Sequence, residues 1–189
     1  MKKALVVLAL FIVILVGWFS YLSTSAINGE EELSSVPVIT VMDILHARDL
    51  QAGVKQAVKA NDSEAINGWL EQALSVAKAA SLSQHDIDYL SSSQAYDYLV
   101  FNAKRQLFND AFEARYYALE DISDLQTQYP EAKDLYERAE QLIEKRDAII
   151  FQIATALSNN DAPTEIELEE AKKQWLLRAQ QRADEDKLL

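Results

Sequence analysis

Turn-forming residues are scarce in this chain, and that scarcity constrains its fold more than any other feature. The 189 residues include 4 glycines and 3 prolines, and beyond residue 40 only Gly53, Gly68, Pro130 and Pro163 remain. An all-β sandwich needs a turn about every 10 residues, commonly built on glycine or proline. The absence of cysteine excludes a disulfide-stabilised scaffold and cysteine-based zinc sites. The sequence therefore predicts an all-α fold of long helices.

A long apolar run near the N-terminus predicts one transmembrane helix. Residues 4–22 contain no charged side chain. At a rise of about 1.5 Å per residue they extend roughly 28 Å, close to the thickness of a bilayer's hydrocarbon core. Lys2 and Lys3 precede the run, and Trp18 and Tyr21 lie at its far end, where aromatic side chains anchor a span at the interface. We interpret residues 1–22 as a membrane anchor with these four residues at its two ends.

A cleaved secretory signal is the alternative interpretation of the same segment. Thr24 and Ala26 provide small residues at the two positions that a signal peptidase reads. The uncleaved anchor is favoured because the apolar run exceeds the about 7 to 15 residues of a typical signal core. Cleavage near Ala26 would instead release a secreted, soluble protein.

The charges on either side of the span predict its orientation. Two lysines precede it and Glu30–Glu32 follow it, so the N-terminus should stay in the cytoplasm. Residues 23–39 are small, polar or acidic without a helical period, which indicates a flexible tether. Residues 40–189 would then form a periplasmic or extracellular body, tethered to a bacterial inner membrane by a single span.

The acidic balance of the chain restricts its partners. The formal net charge is −12, from 18 basic and 30 acidic side chains. Without Lys2 and Lys3, 16 basic side chains remain against 30 acidic ones, so the exported part carries about −14. Nucleic-acid binding depends on lysine and arginine neutralising phosphates, so nucleic acid is excluded as a partner.

Helix starts are visible as capping pairs, in which a small polar residue is followed three positions later by an acid or an amide. Four such pairs precede segments with a helical apolar period, and together they predict an antiparallel bundle of four to five helices. The pairs are Thr40 with Asp43, Asn61 with Glu64, Ser91 with Gln94, and Thr164 with Glu167. The predicted helices span 41–60, 63–80, 84–128, 131–158 and 164–185, and Ser91–Ser93 can interrupt the third.

The third predicted helix should form the centre of the bundle, because one apolar stripe follows its whole length with a second, mostly aromatic row beside it. The turn at Tyr129–Pro130 would fold the next helix back on it as a hairpin. The aromatic row could line a ligand cavity, although core packing explains it without a ligand. The stripe comprises Tyr96, Val100, Ala103, Leu107, Ala111, Ala114, Ala118, Ile122, Leu125 and Tyr129, and the row comprises Phe101, Phe108, Phe112, Tyr116 and Leu119.

The last predicted helix has only a narrow apolar stripe in a highly charged segment. Ile166, Ala171, Trp175 and Ala179 lie on this stripe. A weakly amphipathic helix of this kind packs late or binds a partner, so these four residues form a candidate partner-binding helix. The residues from Arg182 onward are expected to fray.

Four polar groupings could carry chemistry, and each has a simpler structural explanation. Asp43 and His46 are one helical turn apart but lack a third metal ligand. Asp86, next to His85, and the glutamates that follow Thr164 lie in first turns, where carboxylates complement the helix dipole. Ser91–Ser93 lacks the strand-to-helix elbow of a hydrolase, and helix capping explains it. We expect no catalytic residue, no metal and no cofactor. The glutamates are Glu165, Glu167, Glu169 and Glu170.

Two known patterns were compared with the sequence, and neither assigns a family. The thirty-four-residue tetratricopeptide pattern, aligned on Pro130, places Asn102 and Arg105 where it requires apolar residues. Asp49-Leu50 and Val58-Lys59 resemble pairs in LemA-type proteins, which are membrane-anchored helical bundles of bacteria. The paired arginines and the Ile-Pro-Asn of that family are absent.

These features predict a non-catalytic protein-interaction module, a scaffold or adaptor that binds another envelope protein or itself. The alternative is a secreted helical protein that holds a small apolar or cationic ligand.

Overall fold

The computed structural model describes residues 39–158 and 162–186, and these residues form helices and turns without a strand. The predicted all-α fold is confirmed, although the described part of the chain has eight α-helices where four to five were predicted. They are α1 (Val41–Leu45), α2 (Arg48–Ala60), α3 (Ser63–Ala79), α4 (Gln84–Leu90), α5 (Ser93–Ala118), α6 (Leu125–Gln128), α7 (Tyr136–Leu157) and α8 (Glu165–Asp186), with a 3₁₀ helix at Pro130–Leu135 between α6 and α7.

The predicted anchor and most of the tether lie outside the described residues, and so do Lys2, Lys3, Trp18, Tyr21 and the cleavage position near Ala26. Among the helices that the structure describes, none combines the length and the apolar character that a membrane span requires.

Local capping defines where the helices of the first half begin. Thr40 and Asp43 form the predicted capping box on α1. The predicted helix 41–60 is interrupted after α1, because His46 ends that helix and α2 starts afresh at Arg48. The cap predicted at Asn61 is wrong: Asn61 has a left-handed backbone, with φ of 54°, and ends α2. Its neighbour Asp62 caps α3 by accepting a hydrogen bond from the backbone N–H of the third residue of that helix.

The predicted break at Ser91–Ser93 is confirmed, with Ser92 instead of Ser91 as the cap of α5. The predicted end of the same helix is wrong, because α5 stops at Ala118, ten residues before position 128. Leu119 takes a left-handed φ of 60°. Arg115 donates hydrogen bonds to the Asp121 backbone oxygen and to the Asp124 carboxylate, which folds the chain back over the end of α5.

The apolar side chains collect in three cores instead of the single core of a bundle. The first joins α1 to α4 with the first half of α5 and includes Leu45, Val54 and Leu99. The second centres on Phe108, where α5 meets α6, the 3₁₀ helix and the start of α7. In the third, Ala154 of α7 and Ala171 of α8 are fully buried, and Leu119 packs against them. Since α5 supplies residues to the first two cores and its C-terminal cap Leu119 packs against the third, it is central as predicted, but the long stripe from Tyr96 to Tyr129 is divided among several elements.

Candidate functional site

An aromatic cluster marks the place where the end of α5 meets α8. The Trp175 ring lies edge-on to Tyr116, with 5.6 Å between ring centroids, and stacks on Tyr117 at 6.4 Å. The two tyrosines are themselves edge to face at 5.3 Å. Aromatic pairs within about 7 Å in these orientations add stability beyond their buried area. The cluster therefore fixes α8 against the end of α5.

A buried arginine from α7 supports this cluster. Arg146 is only 6% exposed. Its Nη1 donates to the Tyr116 backbone oxygen at 3.2 Å, and its guanidinium lies 5.6 Å from the centroid of the Tyr116 ring. Its Nε and Nη2 contact Asp147, each at 2.8 Å. A buried charge needs such partners. Through its two contacts with Tyr116, Arg146 also holds that residue of α5 against α7.

Burial raises the pKa of the Tyr116 hydroxyl, and Tyr117 adds to the effect. A few residues along the chain, the hydrogen bond from Arg115 lowers the pKa of the Asp124 carboxyl. The tyrosine therefore stays neutral and the aspartate ionised at neutral pH. The neutral tyrosine suits its contact with Trp175 of α8, and the ionised aspartate suits its bond to Arg115 at the end of α5.

Beside the cluster lies an open groove of about 180 Å³ between α5, α7 and α8. Arg182 is held at the groove by Tyr117, because its Nη1 donates to the Tyr117 hydroxyl at 3.0 Å and its guanidinium lies 5.8 Å from that ring. Arg178 lines the groove and is exposed, and among the residues that the structure describes no carboxylate pairs with either arginine. We call this site the α5–α7–α8 groove; it is lined by Tyr117, Ile149, Ile153, Trp175, Arg178, Ala179 and Arg182.

The lining defines what the groove can do. Ile149, Ile153 and Ala179 provide an apolar wall, Tyr117 and Trp175 provide ring surface, and the arginines provide hydrogen-bond donors. No carboxylate, histidine or serine lines it. Such a surface can bind an apolar group next to a hydrogen-bond acceptor.

The predicted partner-binding helix divides into residues with different surroundings. Ile166 is 79% exposed in the first turn of α8, whereas Ala171 is fully buried in the chain's own third core. Trp175 is half-buried between the two tyrosines, and its Nε1 is covered without a described acceptor. Ala179 lines the groove. Only Trp175 and Ala179 of the four thus contribute to the groove.

Sequence reasoning missed most of the other groove residues. Arg178 and Arg182 follow Trp175 by three and seven positions, so the helical stripe continues through them. This continuation was the available signal, but the change from apolar to charged residues concealed it. Arg182 was expected to fray, and instead it holds Tyr117. Nothing in the local sequence indicates that Tyr117 and Ile149 reach the same place.

Most residues of the predicted polar groupings have structural partners, and these are local except for the partner of His46. The Asp43 carboxylate accepts from Thr40, while His46 Nε2 lies 2.6 Å from the Tyr98 hydroxyl. Asp86 bonds the capping Ser83. Glu167 accepts from the backbone of Thr164, and Glu169 and Glu170 pair with Lys172 and Lys173. Within the described ranges, no three His, Asp or Glu side chains converge in a metal-binding arrangement.

Ser91 and Ser92 also have backbone partners, since their hydroxyls donate to the carbonyls of Ile87 and Tyr89. They border a larger groove of about 520 Å³ between α3 and the α4–α5 junction. Leu70, Leu74, Leu90 and Tyr96 give this groove apolar surface, and Glu71 gives its one carboxylate.

No protein-family model, no curated protein and no solved structure matches this chain. Function is therefore inferred from the chain's own residues.

Proposed function

We propose that this protein is a non-catalytic protein-interaction module, which binds a partner through the α5–α7–α8 groove. The observation that carries the proposal is the lining of that groove. Tryptophan, tyrosine and arginine are the residue types that contribute most to binding at protein interfaces, and they do so from well-packed central pockets. Here Tyr117, Trp175, Arg178 and Arg182 converge on one groove from two helices.

The size of the groove supports a protein partner over a small molecule. Sites for small molecules enclose about 300–1,000 Å³. The groove of about 180 Å³ is smaller and open to one side. An engineered apolar cavity of about 150 Å³ holds a benzene molecule. The groove thus has room for one side chain of a larger partner.

The sequence supports a location for this interaction. The uncharged run at residues 4–22 and the two lysines before it favour a single span with the body outside a bacterial inner membrane. The proposed module would act as a scaffold or adaptor among envelope proteins. The tether and the body together carry about −14, a charge that keeps them away from anionic headgroups and leaves the body free to meet a partner.

Site-specific photocrosslinking in intact cells tests the proposal. A photoreactive amino acid replaces Ile149 at the groove or, as a control, Val76 on α3; these two apolar side chains are 44% and 49% exposed. A crosslinked product with another protein should form from position 149 and not from position 76. Ala179→Phe fills the groove and should abolish the product, whereas Gln181→Phe, at an exposed position on the other side of α8, should retain it.

Either of two outcomes would contradict the proposal. The first is the same set of products from positions 149 and 76. The second is a product from position 149 that persists when Ala179→Phe fills the groove.

The larger groove favours a second candidate function, a secreted binding protein for a small apolar or cationic ligand. Its volume of about 520 Å³ lies in the range of small-molecule sites, and Glu71 could pair with a cation beside the apolar surface of Leu70 and Leu74. Mass measurement of the mature protein distinguishes the two functions, because only the secreted form has lost its N-terminal segment. A chain that begins at residue 27 would support the secreted form, and an intact N-terminus would exclude it.

A further inference from the structure

The arginines of the α5–α7–α8 groove also indicate what the partner presents to it. Both reach the groove from α8, and among the described residues no carboxylate forms a salt bridge with either of them. Arg182 is directed by its bond to Tyr117, whereas Arg178 is exposed on the rim. Arginine guanidinium groups bind carboxylates through paired N–H donors, so a carboxylate at the groove would find donors already positioned.

The apolar wall defines the second element of the partner. Ile149, Ile153 and Ala179 line the groove together with the ring of Trp175, and its volume accommodates about one phenyl ring. A ring inserted there could contact the Trp175 indole edge-on or face-on, as the rings of Tyr116 and Tyr117 already do. An aromatic side chain fits this space better than a polar one.

The acidity of the whole chain limits how many carboxylates the partner can carry there. The net charge of −12 opposes an acidic partner at long range. At physiological ionic strength, exposed charges more than about 8 Å apart are largely screened, and both charged residues that line the groove are arginines. One or two carboxylates match two guanidinium groups. The chain's own Glu30–Glu32 run has three contiguous carboxylates and no aromatic residue, so it fits less well.

We propose that the α5–α7–α8 groove binds a segment of another protein in which one aromatic side chain is flanked by one or two carboxylates. This inference rests on the proposed function and specifies the chemistry of its partner.

Peptide titration of the full chain in detergent micelles tests the inference. The probes are four pentapeptides, Ser-Glu-Phe-Glu-Ser and the versions with both Glu replaced by Gln, both Glu replaced by Lys, or Phe replaced by Ala. Binding is followed by NMR through the indole N–H resonances, because the chain has three tryptophans and Trp175→Phe identifies the one at the groove. We expect the Trp175 resonance to shift with Ser-Glu-Phe-Glu-Ser while that of Trp69 does not.

The three altered peptides separate the contribution of the carboxylates from that of the aromatic ring. The Gln peptide should bind about five-fold more weakly, since exposed ion pairs contribute modestly, and the difference should shrink at high salt. The Lys and Ala peptides should not bind measurably. Arg178→Glu should remove the preference for Glu over Gln, whereas Arg48→Glu, the same charge change at an exposed arginine on α2, should leave it intact.

Equal binding of the Glu and Gln peptides, or tighter binding of a peptide that covers residues 28–35 of this chain, would overturn the inference. The crosslinking experiment keeps the two proposals separate. If the product from position 149 depends on the groove but the peptides show no charge preference, the proposed function stands and the acidic aromatic partner is wrong.

Discussion

Gly53 lies where α2 crosses Trp69 of α3, and its replacement tests whether this crossing sets the spacing of the two helices. A Cβ atom at residue 53 would lie less than 3.0 Å from Cε2, Cζ2 and Nε1 of the Trp69 ring. Non-bonded carbon atoms pack best at about 3.5–4.0 Å, so the ring or a helix must move. Gly68 is also inside a helix, but a Cβ atom there meets no atom within 4 Å.

Two opposing effects set the magnitude. Alanine is more favourable than glycine inside a helix by about 0.5–1 kcal/mol, so Gly68→Ala should stabilise the protein by that amount. At Gly53 the same gain is opposed by overpacking, which costs about 1–3 kcal/mol, and so close an approach belongs at the upper end. Gly53→Ala should therefore lower the free energy of unfolding by about 1–2 kcal/mol. For a body of about 150 residues this corresponds to a Tm decrease of roughly 3–6 °C.

Thermal unfolding of the full chain in mild detergent, followed by circular dichroism at 222 nm, measures both variants. Urea unfolding provides the free energies independently. Gly53→Ala should cost less in a Trp69→Leu background than in the wild type, because the smaller side chain leaves room for the methyl group. A Gly53→Ala protein as stable as Gly68→Ala would refute the reasoning, since α2 and α3 would then not be held apart by the indole.

Three further predictions concern capping, pH and packing. Asp62→Ala should cost about 1 kcal/mol through loss of the α3 cap, while Ser63→Ala next to it should have little effect, as measured by thermal unfolding. A hydrogen bond from Arg105 lowers the pKa of the Asp134 carboxyl. The ionised carboxyl therefore stabilises the fold fully above about pH 4, and this stabilisation disappears as the pH falls through the lowered pKa. Asp134→Asn should accordingly lose less Tm than the wild type between pH 5 and pH 3. Ala154→Leu should destabilise the fully buried α7–α8 contact by about 1–3 kcal/mol and expose α8 to protease, unlike Ala156→Leu on the exposed side of α7.

Helix starts were predictable because their causes are local. The capping box of Thr40 and Asp43 involves only residues within one turn, and so does the interruption near Ser92. The error at Asn61 has the same origin. Asn61 and Asp62 are both good caps, and only the left-handed turn that closes α2 decides that Asn61 ends one helix while Asp62 begins the next.

The end of α5 was not predictable from periodicity, because Leu125 and Tyr129 continue the apolar stripe beyond the helix. Leu125 is fully buried in the second core, and Tyr129 packs against that core. These residues need burial, but they do not need to belong to α5 to obtain it. The decisive contacts are the bonds of Arg115 to the loop that follows, which span up to nine residues and have no periodic signature.

The groove has a physical origin in the way that the stripe of α8 changes character along the helix. Ala171 is small enough to let α8 approach α7 closely, and it is fully buried there. One turn later Trp175 fills the gap to α5, because the left-handed turn at Leu119 ends α5 just beyond Tyr117. The next positions on the same face hold Arg178 and Arg182, whose charges cannot be buried without partners, so the packing opens there. Apolar residues at these two positions would have extended the third core over Ile149. With arginines there, the face of α8 that packs against the chain over its first half carries exposed hydrogen-bond donors over its second half. A carboxylate of the proposed partner can accept from these donors.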